Sequence, residues 1–236
     1  MDFVTITDVV EYESQDPVLT QAAMALGEQC AESIDELARD VLAAGTTVQY
    51  ADNRASRGYI LASSLPTANE IREAVATLGD NNAKKITKIV NPDSGFNTSP
   101  INAAYIAITD AKSIYTYKGL TGWVPIQEYA QKADIMDGEV GALDDVRFIQ
   151  TSKAKYWPAA TASAIVDVHS TLIFGKDAYG VSRISGKAVQ NIIKPLGSGG
   201  TADPLNQRAT SGWKATFVAK ILDDTAMLRL EHSVAI

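Results

Sequence analysis

The sequence predicts an α+β fold. Long helical and long strand-type patterns occupy separate stretches of the chain, and short patterns of both kinds alternate in the stretch between them. Between Asp16 and Gly45, apolar side chains recur at the three- and four-residue spacing of a helix. From about residue 60 to 160 short helical and strand-type patterns alternate, and from Gly212 onward the chain consists of long strand-type runs. This distribution predicts two lobes, one of which is assembled from both ends of the chain.

The long helix is the clearest single element. A strand-type segment precedes it, Phe3 to Thr7, whose side chains alternate between apolar and polar. Asp16 and Pro17 suit the cap and the first helical position, and Gly45 is expected to end the helix in a left-handed conformation. About 28 residues at about 1.5 Å each predict a rod of roughly 40 Å. The side chains expected on its buried face, packed against the long strands, are Leu19, Ala23, Leu26, Cys30, Ile34, Leu37 and Val41.

A second helix is predicted after a strand at 46–51 and a polar loop at 52–64. The segment from Thr67 to Glu70 is a capping box, in which the side chain of each end residue can bond to the backbone amide of the other. The helix is expected to stop near Gly79. The side chains expected to face inward are Ile71, Ala74, Val75 and Leu78.

The remaining elements are predicted from shorter patterns. In order, they are a strand at 84–90, a loop at 91–102, a strand at 104–109, a helix that is capped by Asp110 and contains Ile114 and Tyr115, a helix at 126–133 with Tyr129 and Ala130 inward, a turn at 138–141, and strands at 146–150, 162–174 and 188–194. A short helical turn is expected at 177–179. The final run is predicted to be a hairpin, with Asp223 and Asp224 in its turn and a return strand from Met227 to Val234.

Composition and charge limit the classes of function. The 236 residues are 46% hydrophobic and 21% charged, which is normal for a globular protein of one large or two small domains. The net charge of −7 argues against tight groove-type DNA binding, but is compatible with a container whose wall faces nucleic acid. Cys30 is the only cysteine, which excludes an intrachain disulfide and indicates a reducing compartment. No apolar run approaches the ~18 residues of a membrane span, and no signal-type segment is present.

The residues with reactive side chains are few. His169 and His232 are the only histidines and lack the spacing of a metal motif, so a surface or interface position is expected for both. Cys30 lies on the apolar face of the long helix and is expected to be a small core residue rather than a nucleophile. The sequence therefore predicts no catalytic, cofactor-binding or metal-binding residue, and a protein that is not an enzyme.

Other motifs have structural explanations. The loop from Gly197 to Thr201 lacks the Gly-Lys-Ser/Thr ending of a phosphate loop and is expected to be a turn between strands. The pairs Asp144-Asp145 and Asp223-Asp224 sit at predicted turns, where aspartate is common. A solvated basic face is expected from Lys84, Lys85 and Lys88. Each of the three tryptophans is expected to anchor packing, at Trp123, Trp157 and Trp213.

Several short segments are informative because of the order in which they occur along nearly the whole chain. They are Asp16-Pro-Val-Leu-Thr20, Leu37-Ala-Arg-Asp-Val-Leu42, Asn81-Asn-Ala-Lys84, Gly138-Glu-Val-Gly-Ala-Leu143 with Val146-Arg-Phe148, Gly175-Lys-Asp-Ala-Tyr-Gly-Val181, and Lys194-Pro-Leu-Gly197 through Trp213-Lys-Ala215. In this order they resemble the tailed-phage major capsid family typified by the coat protein of coliphage N-four. The resemblance implies the Hong Kong 97-type capsid fold.

The resemblance also implies a domain organisation. Residues 1–60 and 161–236 would form the peripheral (P) domain, with the long helix as its spine and a remnant of the hairpin called the E-loop. Residues 61–160 would form mainly the axial (A) domain. The family's N-terminal arm and most of its E-loop are missing, and Asp2 to Thr7 resembles the returning strand of that hairpin. Proteolytic maturation, truncation or a naturally short relative would each account for this difference.

The implied function is that of a major capsid protein that self-assembles, through pentamers and hexamers, into the icosahedral shell around a double-stranded DNA phage genome. Such a shell encloses DNA without sequence-specific binding, is made in the bacterial host cytoplasm and becomes the virion capsid. The resemblance also allows scaffold, portal and decoration proteins as further partners. It implies no membrane partner. Two alternatives stay open: an encapsulin-type nanocompartment shell that packages a cargo enzyme, and a hydrolase with an unrecognised site.

Overall fold

The computed structural model describes residues 1–90, 98–129, 135–160, 166–183 and 189–235. Within these ranges the α-helices are Asp8–Glu13 (α1), Val18–Leu42 (α2), Ala68–Asp80 (α3) and Ala111–Lys118 (α4). The strands up to residue 150 are Asp2–Thr7 (β1), Val48–Tyr50 (β2), Ile86–Val90 (β3), Thr98–Thr109 (β4), Trp123–Pro125 (β5), Glu139–Leu143 (β6) and Val146–Gln150 (β7). The later strands are Tyr156–Trp157 (β8), Val168–Phe174 (β9), Tyr179–Arg183 (β10), Val189–Lys194 (β11), Arg208–Ala215 (β12), Phe217–Ile221 (β13) and Met227–His232 (β14).

The chain folds as two units, each with its own sheet. The first unit comprises Met1–Ala38 and Val181–Ala219, and the second comprises Arg39–Gly180 and Lys220–Ile236. The chain passes from one unit to the other within α2, β10 and β13.

The first unit is built on an antiparallel sheet in the order β1-β12-β11. Directly paired residues of antiparallel strands point to the same side, so Asp2 and Trp213 share one face of the sheet. Helix α2 is joined to this face by Gln29, whose Nε2 donates to Asp2 Oδ2 (2.7 Å) and whose Oε1 accepts from Trp213 Nε1 (3.4 Å). The buried side chains of this unit are Ile6, Leu26, Cys30, Ala209 and Ser211.

The second unit contains a mixed sheet in the order β2-β14-β9-β4-β7-β6-β5, with β3 beside β4 and β8 beside β9. The β2–β14 and β4–β7 pairs are parallel, whereas the other pairs are antiparallel. Every residue of β9 and of β14 is buried, which places these strands in the interior of the sheet. A mixed sheet with segregated helices confirms the predicted α+β class.

Apolar side chains cover both faces of this sheet. Helices α3 and α4 pack on one face, where Ile71 and Ile114 join Phe148 in one core cluster. The opposite face carries a second cluster that includes Phe174 and Met227. Strand β14 contributes to both, because its side chains alternate between the two faces.

Predictions that depend on local patterns are confirmed. Helix α3 begins with the predicted capping box: Glu70 N donates to Thr67 Oγ1 (3.3 Å), and Thr67 N donates to Glu70 Oε2 (2.8 Å). Asp110 caps α4 as predicted. Strands β2, β3 and β11 lie within the predicted ranges, and β7 has the predicted bounds.

The predicted C-terminal hairpin is wrong. Strand β13 pairs with β10, whereas β14 lies between β2 and β9. A turn does occur at Asp223, whose carboxylate accepts from Thr225 N (3.0 Å). Because β14 is buried along its whole length, both of its edges need partners from the central sheet, and β13 has no place beside it.

The end of α2 also differs from the prediction. The helix starts at Val18, with the Pro17 carbonyl accepting from Gln21 N (3.1 Å), and it ends at Leu42. Gly45 does not adopt a left-handed conformation. The position is crowded instead, since a Cβ atom would lie 2.8 Å from Met227 Cε and the methionine side chain would have to shift to admit it.

In the middle of the chain some predicted loops are strands. Residues 98–102 belong to β4 and residues 139–141 to β6, while the predicted helix after Ile126 is a single 3-10 turn, Ile126–Glu128. Tyr179, placed in a helical turn, begins β10. Tyr115 is exposed and Tyr117 is the buried tyrosine of α4. The predictions for 91–97, 130–134, 161–165 and 188 fall on residues outside the described ranges.

The predicted buried face of α2 is confirmed only in part. Leu26 and Cys30 are buried, Ile34 is half-buried, and Leu37 is 60% exposed. At 100° per residue Leu37 lies within about 20° of Leu26 on the helix, so the helical register is right. Leu37 is exposed because no described residue of the subunit covers the helix at that point.

Candidate functional site

Both histidines are buried in the second unit, so the predicted surface or interface positions are wrong. His232 is the last residue of β14 and is fully buried, and His169 lies directly opposite it in β9. Both strands are buried on both faces, which removes these side chains from solvent.

His232 belongs to a buried hydrogen-bonded cluster of neutral groups. Its Nδ1 donates to the Ser233 carbonyl (2.8 Å), so Nε2 is the acceptor and lies 3.0 Å from Thr171 Oγ1 and 3.3 Å from Tyr117 OH. Thr171 Oγ1 is also 2.9 Å from Thr109 Oγ1. Burial is the main cause that lowers the pKa of His232 to about 4 and raises that of Tyr117 above its ordinary value. The cluster therefore fixes strand positions and stays uncharged at neutral pH.

His169 forms a second polar contact, with the cap of α4. Its Nδ1 lies 2.9 Å from Asp110 Oδ2, and Asp110 Oδ1 accepts from the backbone amide and hydroxyl of Ser113. Burial alone would raise the pKa of Asp110, but the bonds to His169 and Ser113 outweigh it and lower the pKa to about 2. The other ring nitrogen of His169 has no hydrogen-bond partner among the described residues. Among the described residues, no nucleophile of the kind that a catalytic triad requires is bonded to this pair.

Acid is expected to destabilise the second unit through His232. Its pKa is 6.5 in the unfolded reference and about 4 in the fold, so the unfolded chain takes up the proton first and stability falls as the pH drops from about 6.5 to about 4. The loss approaches about 3 kcal/mol, because each pKa unit corresponds to about 1.4 kcal/mol. Urea unfolding across this pH range measures it.

The variant His232→Gln is the control for this prediction, since it keeps a polar side chain that does not titrate. Its stability is expected to be lower than that of the wild type at neutral pH but flatter between pH 6.5 and about 4. A profile as steep as that of the wild type would show that another group causes the acid sensitivity.

A charged cluster holds β14 to the end of α2. Glu231 is fully buried and accepts from Arg57 Nε (2.7 Å) and Nη2 (2.6 Å) and from Arg229 Nε (2.8 Å). Arg229 Nη1 also donates to the carbonyls of Ala43 and Gly45, which follow the last turn of the helix. The Arg57 guanidinium lies 3.5 Å from the centre of the Trp157 ring, a cation–π contact.

A second buried ion pair lies in β6 and β7. Glu139 accepts from Arg147 Nε (2.7 Å) and Nη2 (2.8 Å), from Tyr129 OH (2.9 Å) and from Met136 N (2.9 Å). Burial and the Glu139 carboxylate raise the pKa of Tyr129. A carboxylate with four donors is suited to holding chain segments together rather than to exchanging protons.

The other candidates lie where their structural explanations predicted. Cys30 is a buried free thiol. Gly197 has φ +83° in the turn between β11 and β12, and Asp144 and Asp145 pair with Arg72 (3.0 Å) and Lys85 (2.7 Å). Within the described ranges, no group of three His, Cys, Asp or Glu side chains could hold a metal ion.

Two of the three predicted packing anchors, Trp123 and Trp157, have ring contacts that agree with the prediction. Trp123 packs against Phe148 with ring centres 5.3 Å apart, and Trp157 supports the Arg57 guanidinium. Of the basic groups, Arg54 pairs with Asp52 (2.6 Å). Lys84 and Lys88 are exposed.

Two apolar features are not covered by any other described residue: an exposed sheet face in the first unit, and a groove lined by buried and half-buried side chains in the second. In the first unit, the sheet face that bears Phe3 and Ile192 holds a depression of about 380 Å³, and Phe3 is 69% exposed. In the second unit, a groove of about 610 Å³ lies on the sheet face opposite α3 and α4. Its apolar lining includes Ile106, Ile108, Ile149 and Phe174. Exposed apolar surfaces of this kind are typical of sites that bind another protein.

The sequence matches no protein-family model and no curated protein. Solved structures are similar over nearly the whole chain. A chain in the capsid of Ralstonia phage GP4 is 13% identical with a TM-score of 0.71, and the similarity covers 100% of this chain and 74% of that chain. A chain in the head structure of Helicobacter pylori bacteriophage KHP40 is 12% identical with a TM-score of 0.69, and the similarity covers 99% of this chain and 73% of that chain. A chain in the holo-SrpI encapsulin complex from Synechococcus elongatus PCC 7942 is 10% identical with a TM-score of 0.59, and the similarity covers 100% of this chain and 74% of that chain.

Similarity at 10–13% identity establishes the fold and leaves the relation to the coliphage N-four family a prediction. None of the helices described is long and apolar enough to cross a membrane. The architecture and these neighbours agree with the fold that the resemblance implied: the chain has the Hong Kong 97-type capsid fold.

Proposed function

We propose that this protein is the major capsid protein of a tailed double-stranded DNA phage and that it self-assembles into the phage shell. The observation that carries this proposal is the similarity of the whole chain to a capsid chain of Ralstonia phage GP4, with a TM-score of 0.71. The exposed apolar sheet face that bears Phe3 and Ile192 supports it, because a neighbouring copy in a shell would bury this face. The saturated buried carboxylates support a structural rather than an enzymatic role.

The finer organisation is part of the same proposal. Residues 1–60 and 161–236 would form the peripheral domain and residues 61–160 mainly the axial domain of subunits arranged as pentamers and hexamers. Synthesis in the host cytoplasm, assistance by scaffold, portal and decoration proteins, and kinship with the coliphage N-four coat protein all follow from the resemblance of the sequence to that family.

The oligomeric state of the purified protein tests the proposal. Size-exclusion chromatography is expected to show large assemblies, and negative-stain micrographs are expected to show closed shells. A protein that stays monomeric at high concentration and physiological salt would contradict a capsid function.

An encapsulin-type shell is the second candidate, because the holo-SrpI encapsulin shares the fold over 100% of this chain. The contents of purified particles distinguish the two. Nucleic acid inside the particles supports a capsid, and a co-purifying cargo enzyme supports a nanocompartment. None of the comparisons supports the hydrolase alternative.

Binding of free subunits to duplex DNA is expected to be micromolar or weaker at physiological salt. The net charge is −7. The basic groups that could contact DNA locally are Arg54, Arg57, Lys84 and Lys85. Three of them already form ion pairs, Arg54 with Asp52, Arg57 with Glu231 and Lys85 with Asp145. Each phosphate contact contributes about −0.9 to the log–log salt slope, so a shallow slope is expected. Fluorescence anisotropy on a short duplex across a salt series measures both values. Nanomolar, sequence-specific binding that survives high salt would indicate a DNA-recognition protein instead.

A further inference from the structure

Charge is divided unevenly within the first unit. Residues 1–38 contain nine Asp and Glu and no Lys or Arg, which is more negative charge than the net −7 of the whole chain. Between residues 189 and 219 the basic side chains are Lys194, Arg208 and Lys214, against a single acid, Asp203. The unit therefore combines an acidic front segment with a basic sheet segment.

The basic side chains flank the uncovered apolar face of the sheet, here called the sheet surface and formed by Phe3, Ile192, Lys194, Gly212 and Lys214. In the strand register Phe3, Gly212 and Ile192 lie side by side. Gly212 has no side chain and therefore leaves a depression beside Phe3. A Cβ atom at this position would lie only 2.7 Å from the Phe3 Cβ. Both lysines are exposed, and neither forms an ion pair with any described residue.

Helix α1 has the complementary properties. Its apolar side chains Val9, Val10 and Tyr12 are all exposed, Tyr12 by 83%, and the helix buries no residue. It carries acidic side chains, Glu11 and Glu13 among them, and no basic one. A helix of six residues is not stable in water without tertiary contacts, so α1 needs a surface to cover its apolar side chains.

The sheet of the same subunit does not provide that surface. Helix α1 follows β1 directly and is held at the end of the sheet, where Asp8 N donates to the Gln207 carbonyl (3.1 Å). The depression beside Phe3 lies four residues back along β1, a distance of about 13 Å at about 3.3 Å per residue. Within the part of the chain that the structure describes, neither surface is therefore covered by the other.

We propose that α1 of one copy binds the sheet surface of a neighbouring copy. Its apolar side chains would fill the depression beside Phe3 and Ile192. Glu13 lies four residues after Val9, on the same side of the helix, and would face the lysines at 194 and 214, while Glu11 adds negative charge from the far side. The contact joins two different surfaces, so each copy offers one of each to its neighbours, and such head-to-tail contacts generate rings and closed assemblies. This inference rests on the proposed shell function and names one of its subunit contacts.

Two charge-reversed proteins test the contact. One carries Lys194→Glu and Lys214→Glu, and the other carries Glu11→Lys and Glu13→Lys. Each alone is expected to assemble with a yield lower by about tenfold or more, because like charges then meet across every contact. Mixed in equal amounts they are expected to recover association into larger complexes, since the acidic helix of one fits the basic sheet surface of the other. Light scattering and negative-stain particle counts measure the yield.

The matched control is Lys194→Arg with Lys214→Arg, which keeps both charges and is expected to assemble like the wild type. Circular dichroism establishes that all variants are folded. Charge-reversed proteins that assemble normally would overturn the inference while leaving the shell function intact. Failure of the two variants to associate with each other when mixed would overturn it as well, because the helix and the lysines would then have other partners. A wild type that never assembles would overturn the shell function and this contact together.

Discussion

Replacing Glu231 by alanine is expected to destabilise the protein by about 3–5 kcal/mol, since removal of one partner leaves the buried charge of Arg229 uncompensated. Glu231 is fully buried and receives three bonds of 2.6–2.8 Å from Arg57 and Arg229. Arg57 is partly exposed and can turn to solvent, whereas Arg229 is buried and cannot. Urea unfolding at matched subunit concentration measures the loss.

Two variants separate this effect from a general response to mutation. Glu231→Gln keeps the shape and one acceptor, so an intermediate loss is expected. Arg72→Ala breaks the exposed pair with Asp144 and is expected to cost less than about 1 kcal/mol, as exposed ion pairs do. A Glu231→Ala loss no larger than that of Arg72→Ala would show that the cluster does not hold β14 to the end of α2.

Elements whose signals are contiguous in the sequence could be predicted. The capping box of α3 involves residues three apart, Thr67 and Glu70, and both of its bonds form. The apolar stripe of α2 and the short apolar run of β7 have a period that depends only on neighbouring residues. Local geometry decides such elements, so a single sequence is sufficient for them.

Strand pairing could not be predicted in the same way. Strand β14 was predicted to pair with the run just before it, but its neighbours are β2, near residue 48, and β9, near residue 170. Nothing in the local pattern selects these distant partners. The choice depends on the burial of both faces of β14, a property of the assembled sheet.

The buried polar clusters were missed although the sequence held a signal for them. Arg229 lies between Leu228 and Leu230, and Glu231 and His232 follow directly, all in one run with strand character. Side chains two apart in a strand share a face, so Arg229 and Glu231 could have been predicted to meet. What the sequence does not show is Arg57, which arrives from 174 residues away.

The variant Leu26→Asp is expected to unfold the first unit, with a cost of at least about 3 kcal/mol for the unpaired buried charge. Leu26 is 6% exposed and, with Ile6, is one of the two large aliphatic side chains buried among the described residues of the first unit. Two measurements test this prediction. In a urea titration the helical signal is expected to be lost, and in limited proteolysis the first unit is expected to be cleaved rapidly.

Leu37→Asp is the matched control, because it places the same charge on the same helix face. The sequence alone predicted that both positions are buried, yet Leu37 is 60% exposed. Its aspartate therefore stays in water, and the change in stability is expected to lie within about 0.5 kcal/mol. Equal destabilisation by the two variants would show that Leu37 is covered within the subunit. A large difference instead locates the core of the first unit at Leu26 and Cys30 and leaves the later part of the helix face open to a neighbouring copy.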